Sequence, residues 1–283
     1  MLDLIRFYLD HPYFFLIAVS LLGACMGSFF SVVAYRLPIQ LGYVTQPMPD
    51  QPKPSRVIQS ISIVSPGSHC PNCLAPIKWT LNIPILGYLL SAAHCRHCHT
   101  SISLRYPFLE ITTSLLSFQC AFIYGPSLEL IFGLIFCWLL ILLAMIDFET
   151  GLLPDILTLP LIWTGLIANA NGFFTSLESA LYGAIFGYLA LWTLYHLHRL
   201  ATGKHGMGYG DFKLLAAIGA WLGWEMLPLV IFLSSTLGIL SAILGILLRK
   251  MQTNKPIPFG PFLAIGGWFS CFWGTQLLNP YIA

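Results

Sequence analysis

Apolar residues in this chain come in long runs, without the strict alternation of a half-buried strand. The first run extends from Pro12 to about Tyr35, and seven more follow at about 107–124, 127–147, 154–171, 178–197, 212–226, 228–248 and 259–278. A run of this kind reads as a helix crossing a hydrocarbon core about 30 Å thick. The run at 212–226 is the shortest and carries Gly219 and Gly223; without it the chain would have seven crossings, and its C-terminus would change sides. The pattern therefore predicts an all-α polytopic membrane protein of about eight transmembrane helices. Arg36-Leu37-Pro38 is expected to end the first of them. No small-residue cleavage site follows that run, which reads as a retained anchor and not a signal peptide.

Residues 37–105 change character. Pro47, Pro49, Pro52 and Pro54 break any regular element and lead into two cysteine pairs, Cys70-x-x-Cys73 and Cys95-x-x-Cys98, separated by 21 residues. This spacing is that of a four-thiolate zinc site; two disulfides are the alternative. A module of about 70 residues has a limited core, so a structural metal would have an obvious use. Between the pairs, Trp79 to Ala92 is apolar but interrupted by Pro84 and Gly87, too short to span, and reads as an interfacial segment. The remaining cysteines, Cys25, Cys120, Cys137 and Cys271, lie singly in apolar runs, where a thiol behaves as a small hydrophobe.

Composition sharpens this picture: 57% of residues are hydrophobic and 8% charged, far from a soluble domain's usual charged quarter. The net charge of +2 points to no nucleic-acid partner. Basic residues report topology instead. With the N-terminus outside, Arg36, Lys53, Arg56, Lys78, Arg96, Arg105, Arg199, Lys204, Lys213, Arg249, Lys250 and Lys255 all fall on the cytoplasmic side, and only Arg6 falls outside. That distribution supports eight helices and a cytoplasmic cysteine module, where a reducing milieu favours free thiolates.

Against this apolar background, acids stand out. Asp147 closes the third run and is followed by Glu149 and by Leu153-Pro154-Asp155 at the mouth of the fourth. Asp211 lies in Gly206-Met207-Gly208-Tyr209-Gly210-Asp211-Phe212-Lys213, a turn whose glycines open backbone conformations closed to other residues. By itself an Asp at this point caps a helix. Together, however, Asp147 and Asp211 reach the same membrane face from distant helices, and an ionisable residue at such a place marks a functional site. Two adjacent carboxylates share a proton, so that one acts as general base and the other as general acid. Proton-coupled transport would also use paired acids, but nearer the midplane and on repeated halves, and no such repeat is visible. Asp155 reads as a helix cap or dipole partner and Glu149 as a solvated acid. Lys213 reads as a charge partner of Asp211, a lipid-phosphate ligand or a topology marker. His196, His198 and His205 near the turn, and His69, His94, His97 and His99 near the cysteines, read as polar anchors and not ligands. Trp221, Trp224, Trp268 and Trp273 suit an interfacial belt.

These residues, taken in order, resemble the bacterial type IV prepilin peptidases. The resemblance covers nearly the whole chain: Gly27-Ser28-Phe29 with Tyr35-Arg36-Leu37-Pro38, Ser68-His69-Cys70-Pro71-Asn72-Cys73, Asn82-Ile83-Pro84, Cys95-Arg96-His97-Cys98, Arg105-Tyr106-Pro107, Asp147 through Asp155, Gly208-Tyr209-Gly210-Asp211-Phe212-Lys213, and Pro258-Phe259-Gly260-Pro261. Ala93-His94 departs from it, standing where a glycine and a basic residue are expected. The resemblance implies a first helix at 1–36, a cytoplasmic zinc module at 37–105 and a membrane aspartic peptidase domain at 106–283. It implies Asp147 and Asp211 as the catalytic pair, supported by Gly208, Gly210, Lys213 and Asp155, with Cys70, Cys73, Cys95 and Cys98 on structural zinc. It also implies a bacterial inner-membrane enzyme, embedded in lipid. Such an enzyme removes the leader of type IV prepilins and of type II secretion pseudopilins at the cytoplasmic face, then methylates the new N-terminus from S-adenosylmethionine. No glycine-rich nucleotide fingerprint places the methyl donor. A proton-coupled transporter and a non-catalytic assembly scaffold are the rival classes.

Overall fold

The computed structural model describes residues 11–43, 62–204, 206–248 and 257–282, with backbone alone for 278–282. The breaker stretch at Pro47, Pro49, Pro52 and Pro54, the basic residues Arg6, Lys53, Arg56, Arg249, Lys250 and Lys255, and His205 lie outside the described residues. The described chain is all-helical, with two isolated bridges in place of sheet. Its α-helices are α1 (Pro12–Gln40), α2 (Leu86–Leu90), α3 (Arg105–Tyr124), α4 (Leu128–Thr150), α5 (Asp155–Ala170), α6 (Leu177–Thr202), α7 (Tyr209–Leu222), α8 (Leu227–Leu247) and α9 (Gly260–Ile282).

The apolar runs of the sequence coincide with α1 and with α3 to α9. Four stretches are long and apolar enough to cross a membrane: α1, α4, α6, and Trp224–Leu247, which joins a short 3-10 turn to α8. The first helix does not stop at Arg36-Leu37-Pro38; it continues to Gln40 with Pro38 inside it. Proline removes one donor there, but its own carbonyl still accepts from Tyr43 N at 3.0 Å and that of Leu37 from Leu41 N at 3.0 Å. Arg36, Leu37 and Pro38 are all buried, and that packing holds the turn together.

The chain divides into two compact units, Met1–Trp138 and Leu139–Ala283. In the first, α1 and α3 pack closely through small residues. A Cβ on Gly23 would stand 2.6 Å from the Thr113 carbonyl, and one on Gly27 would stand 2.7 Å from Glu110 Cα, so the two backbones nearly touch. Ser114 Oγ donates to the Ser20 carbonyl at 3.0 Å, and Trp138 Nε1 donates to Ser117 Oγ at 2.9 Å.

In the second unit, α7 lies at the centre. Asp211, Phe212 and every residue from Leu214 to Leu222 are buried, with Lys213 alone in that stretch reaching the surface, as a helix surrounded by other helices requires. Gly183 and Gly187 of α6 lie against it, a Cβ on Gly183 falling 2.7 Å from the Gly219 carbonyl carbon and one on Gly187 falling 2.6 Å from the Leu215 carbonyl oxygen. Gly267 of α9 rests on Ile218 from another side. The far end of α7 is closed by Asn169 of α5, whose Nδ2 donates to the carbonyls of Ala220 at 2.8 Å and Trp221 at 3.0 Å. Its Oδ1 accepts from Phe174 N and Thr175 N, so this buried amide leaves no helix-end carbonyl stranded at its position. Trp221, expected in an interfacial belt, is instead fully buried, with Nε1 donating to the Leu161 carbonyl at 2.7 Å. Gly165 leaves room for its ring, since a Cβ there would meet Trp221 Cδ1 at 2.5 Å. Gly223, at φ +85°, then ends the helix.

A branched side chain at Gly183 must separate α6 from α7. Gly183→Val is expected to lower stability by about 3 kcal/mol or more, the upper range for overpacking. Gly67→Ala, which adds a methyl where nothing lies within 4 Å, should be near neutral. Thermal unfolding in detergent, run on both variants, distinguishes the two.

Candidate active site and metal centre

Two of the chain's acids converge at one end of the second unit. Asp147 sits in the last turn of α4 and Asp211 in the first turn of α7, 4% and 8% exposed, in a protein interior that otherwise holds few acids. They lie close enough for the charge of Asp147 to act on Asp211. Asp147 Oδ2 accepts a 2.8 Å bond from Gly260 N, the first residue of α9. A helix N-terminus presents unpaired N–H groups and the positive end of its dipole, which suits a carboxylate. A Cβ on residue 260 would lie 2.6 Å from Asp147 Oδ2 and 3.0 Å from its Cγ, so any larger residue there must displace the carboxylate.

The glycines around Asp211 have different uses. Gly208 is the extended N-cap of α7, and a Cβ on it would stand 3.8 Å from Asp211 Oδ2, at the edge of the carboxylate. Gly210 faces Leu153 of the loop between α4 and α5, where a Cβ would meet the Leu153 Cβ at 2.7 Å. Lys213 does not partner Asp211. Its Nζ reaches both oxygens of Asp155, at 2.6 and 2.8 Å, joining the first turns of α5 and α7 across an exposed pair. Asp155 occupies the first turn of α5 without capping it, because Pro154 holds the cap position. Glu149, expected on a solvated face, is half-buried in the last turn of α4. His196 packs on Trp192 with ring centres 4.3 Å apart, and His198 abuts Gly206.

In the first unit the four paired cysteines meet. All four Sγ atoms lie within 4.8 Å of one another, with Cys70–Cys98 at 3.7 Å and Cys73–Cys95 at 3.9 Å. Four thiolates about 2.3 Å from a tetrahedral ion stand roughly 3.8 Å apart, so the set fits a metal; a disulfide would need about 2 Å. Two matching turns build it. Cys70 N donates to the Ala75 carbonyl and Leu74 N to that of Cys70; Cys95 N donates to Thr100 and His99 N to Cys95, each at 2.9 Å. His69 and His94 point a ring nitrogen at the carbonyl two residues earlier, and no described histidine joins the sulfur cluster. Thr100 and Asn72 support Cys98: Asn72 Nδ2 donates to Thr100 Oγ1 at 2.7 Å, which leaves the threonine hydroxyl to face Cys98 Sγ at 3.3 Å. That hydroxyl, first among several hydrogen bonds, draws the Cys98 thiol down to about 5, while burial pushes Cys70 up to about 12.

Comparison with known proteins adds an independent line. The model of the type IV leader peptidase family matches residues 134–243, and that of the bacterial Peptidase A24 N-terminal domain matches residues 21–124. A prepilin leader peptidase/N-methyltransferase of Pseudomonas aeruginosa is 42% identical over 99% of this chain and 98% of its own length. Proteins of the same name from Aeromonas hydrophila and Legionella pneumophila are 45% and 39% identical, over 96% and 97% of this chain and 95% and 96% of theirs. The chain belongs to the type IV leader peptidase family. It is therefore a member of an enzyme family, and Asp147 and Asp211 fall within the family's matched region while the four cysteines fall within the N-terminal one. No solved structure matches the chain.

Two features escaped the sequence. Gly260, beyond the matched 134–243, is visible there only as part of a recurring Pro-Phe-Gly-Pro, and nothing in that string says its N–H meets Asp147. Ala93, the residue that replaces an expected glycine, has φ +60°, in the left-handed region that disfavours a Cβ.

Three outcomes follow for the metal module. Thr100→Val should weaken metal binding by about tenfold or more, as losses of a ligand's supporting hydrogen bond do. Because the Cys70 thiol must lose its proton to bind while Cys98 is already a thiolate at neutral pH, affinity should rise with pH, by about tenfold per unit for each proton released. Competition against a colorimetric chelator from pH 6 to 8, roughly the range in which these thiols differ in charge, reads both. Ala93→Gly should stabilise the module by about 1 kcal/mol, seen as slower metal loss to the same chelator.

Proposed function

We propose that this chain is a membrane aspartic endopeptidase that removes the leader peptide of type IV prepilins and type II secretion pseudopilins, with Asp147 and Asp211 as its catalytic pair. The observation that carries the reading is the pair itself: two buried carboxylates, interacting across helix ends, in a chain 42% identical to a prepilin leader peptidase/N-methyltransferase over nearly its full length. Carboxylates this close share one proton. In the reaction, the ionised member takes a proton from a water as that water attacks the scissile carbonyl. The protonated member donates to the carbonyl oxygen. Collapse of the tetrahedral diol then breaks the C–N bond: the proton gained by the first carboxyl passes to the leaving amine, and a diol hydroxyl returns its proton to the second carboxylate as the carbonyl re-forms. Gly260 N–H fixes one oxygen of Asp147, Gly210 lets the start of α7 and the Leu153 loop come close, and Gly208 is the N-cap at the edge of the Asp211 carboxylate. The Asp155–Lys213 pair ties the two helices that flank this end.

The eight-crossing topology belongs to the same reading, with α1 and α3 to α9 as the crossings, the protein in the bacterial inner membrane and the aspartates at the cytoplasmic face. It rests on the basic residues, among them Arg199, Lys204 and Lys213, which stand near Asp211 in the chain. Asp147 lies three residues from the end of α4, which suits a site open to an extramembrane peptide better than a midplane proton carrier. The four cysteines hold structural zinc, whose chemistry here is to cross-link a small module. S-adenosylmethionine is the methyl donor for the N-methylation step. Among the described residues no glycine-rich strand-to-helix turn cradles a nucleotide, and the chemistry derived from this chain's residues is cleavage.

Purified protein and a full-length prepilin test this. Asp147→Asn and Asp211→Asn should each lower the cleavage rate by about a thousandfold or more while leaving zinc content unchanged. Gly260→Ala should also cost most of the activity, by displacing Asp147. Lys213→Ala should cost only about tenfold or less, because an exposed pair contributes little. Wild-type cleavage by either Asn variant would dismiss the pair.

A further inference from the structure

The cysteine module carries a surface that no metal or catalytic role explains. Trp79 is 78% exposed, and Leu86, Leu89 and Leu90 of α2 are 53%, 66% and 60% exposed. Large apolar side chains grouped this way on an extramembrane module mark a contact surface.

Its depth is fixed by one buried acid. Ile85 N, just before α2, donates to Glu110 Oε2 at 2.7 Å, and Glu110, 6% exposed, lies five residues into α3 from Arg105. Five residues of helix are about 7–8 Å. The segment is therefore clasped against the side of the α1–α3 pair, below the level of Arg105, whose guanidinium bonds the Ser31 carbonyl at 2.9 Å. Neighbouring outward side chains at this level belong to the helices themselves: Phe29 of α1, and Phe108 and Ile111 of α3, 48%, 62% and 44% exposed. These are continuous with the apolar exterior that α1, a helix long and apolar enough to cross a membrane, presents further along at Leu21, Leu22 and Ile17. Ile85 pays for the clasp with φ +64°, an outlier for a β-branched residue that only a strongly determined contact maintains. Lys78, exposed at the start of the segment, carries a charge suited to lipid phosphate.

We propose that Trp79–Leu90 is a membrane-surface anchor: Trp79 and the Leu86, Leu89 and Leu90 side chains enter the headgroup and upper acyl region of the phospholipid bilayer, and Glu110 sets their depth through Ile85. The anchor seats the metal module on the membrane independently of the chemistry proposed above. An amphipathic segment buried in this way reaches about 5–10 Å into the boundary.

Full-length protein in nanodiscs provides the test, with Trp79 isolated as the emission difference between wild type and Trp79→Phe, a change at an exposed site. Lipids brominated on the upper acyl carbons should quench that difference by about twofold or more, as expected for a ring at the acyl boundary, and aqueous iodide should have little effect. Leu89→Glu with Leu90→Glu, made in both backgrounds, should reverse the order. Quenching by iodide and not by brominated lipid would overturn the proposal by placing Trp79 in water. Protection from both would overturn it in favour of a protein partner or a second copy of this chain.

Discussion

The close backbone contact between α6 and α7 fixes the position of Asp211, and much of the second unit depends on it. Gly183 and Gly219 meet where any side chain would force the helices apart, and Gly187 lets the next turn of α6 reach Leu215. In a bilayer, where lipid is as apolar as leucine, such packing and hydrogen bonding hold helices together more than hydrophobic burial does. The consequence is a helix of 14 residues, about 21 Å long, buried from Leu214 to Leu222 and closed at one end by Asn169 and Gly223. At its other end stands Asp211. A carboxylate can be kept in such surroundings only where neighbouring groups compensate for lost water. Asp147 has its compensation from the start of α9, through a glycine N–H that a Cβ would block.

The first unit solves a different problem. The module between α1 and α3 has little core, and its described fold rests on cross-links. Arg36 binds the carbonyls of Ser62 and Ile63 at 3.1 and 3.3 Å, Glu110 binds Ile85 N, and four sulfurs gather within the reach of one metal ion. Each of the first two is a buried charge spent on backbone groups, strong when satisfied and costly when broken. The four-sulfur set, with a metal ion bound, would do for the outer part what these two contacts do beside α1 and α3.

How far the sequence could be read depended on the range of the interaction. Helix positions followed from apolar runs because lipid demands continuous stretches, and the cysteine cluster followed from C-x-x-C spacing because two short turns bring each pair together locally. Pro38 was misleading because a single missing donor does not outweigh the burial of Arg36 and Leu37 around it. Trp221 was misleading because its partner, the Leu161 carbonyl, is 60 residues away and invisible to any belt rule. Lys213 was undecided among several partners two residues or a membrane away, and the one it takes, Asp155, lies 58 residues earlier. Glu110 and Gly260 passed unassigned for the same reason: each acts on a backbone group, and a backbone group leaves no trace in the sequence.

The most direct test of the account is the mass of the product when the purified protein is incubated with a full-length prepilin and S-adenosylmethionine. The account predicts a product lighter by the leader peptide, formed by the wild-type chain and carrying one added methyl at its new N-terminus. A shortened, unmethylated product would keep the peptidase and remove the methyl transfer. An intact prepilin, with the four cysteines still holding zinc, would contradict the account.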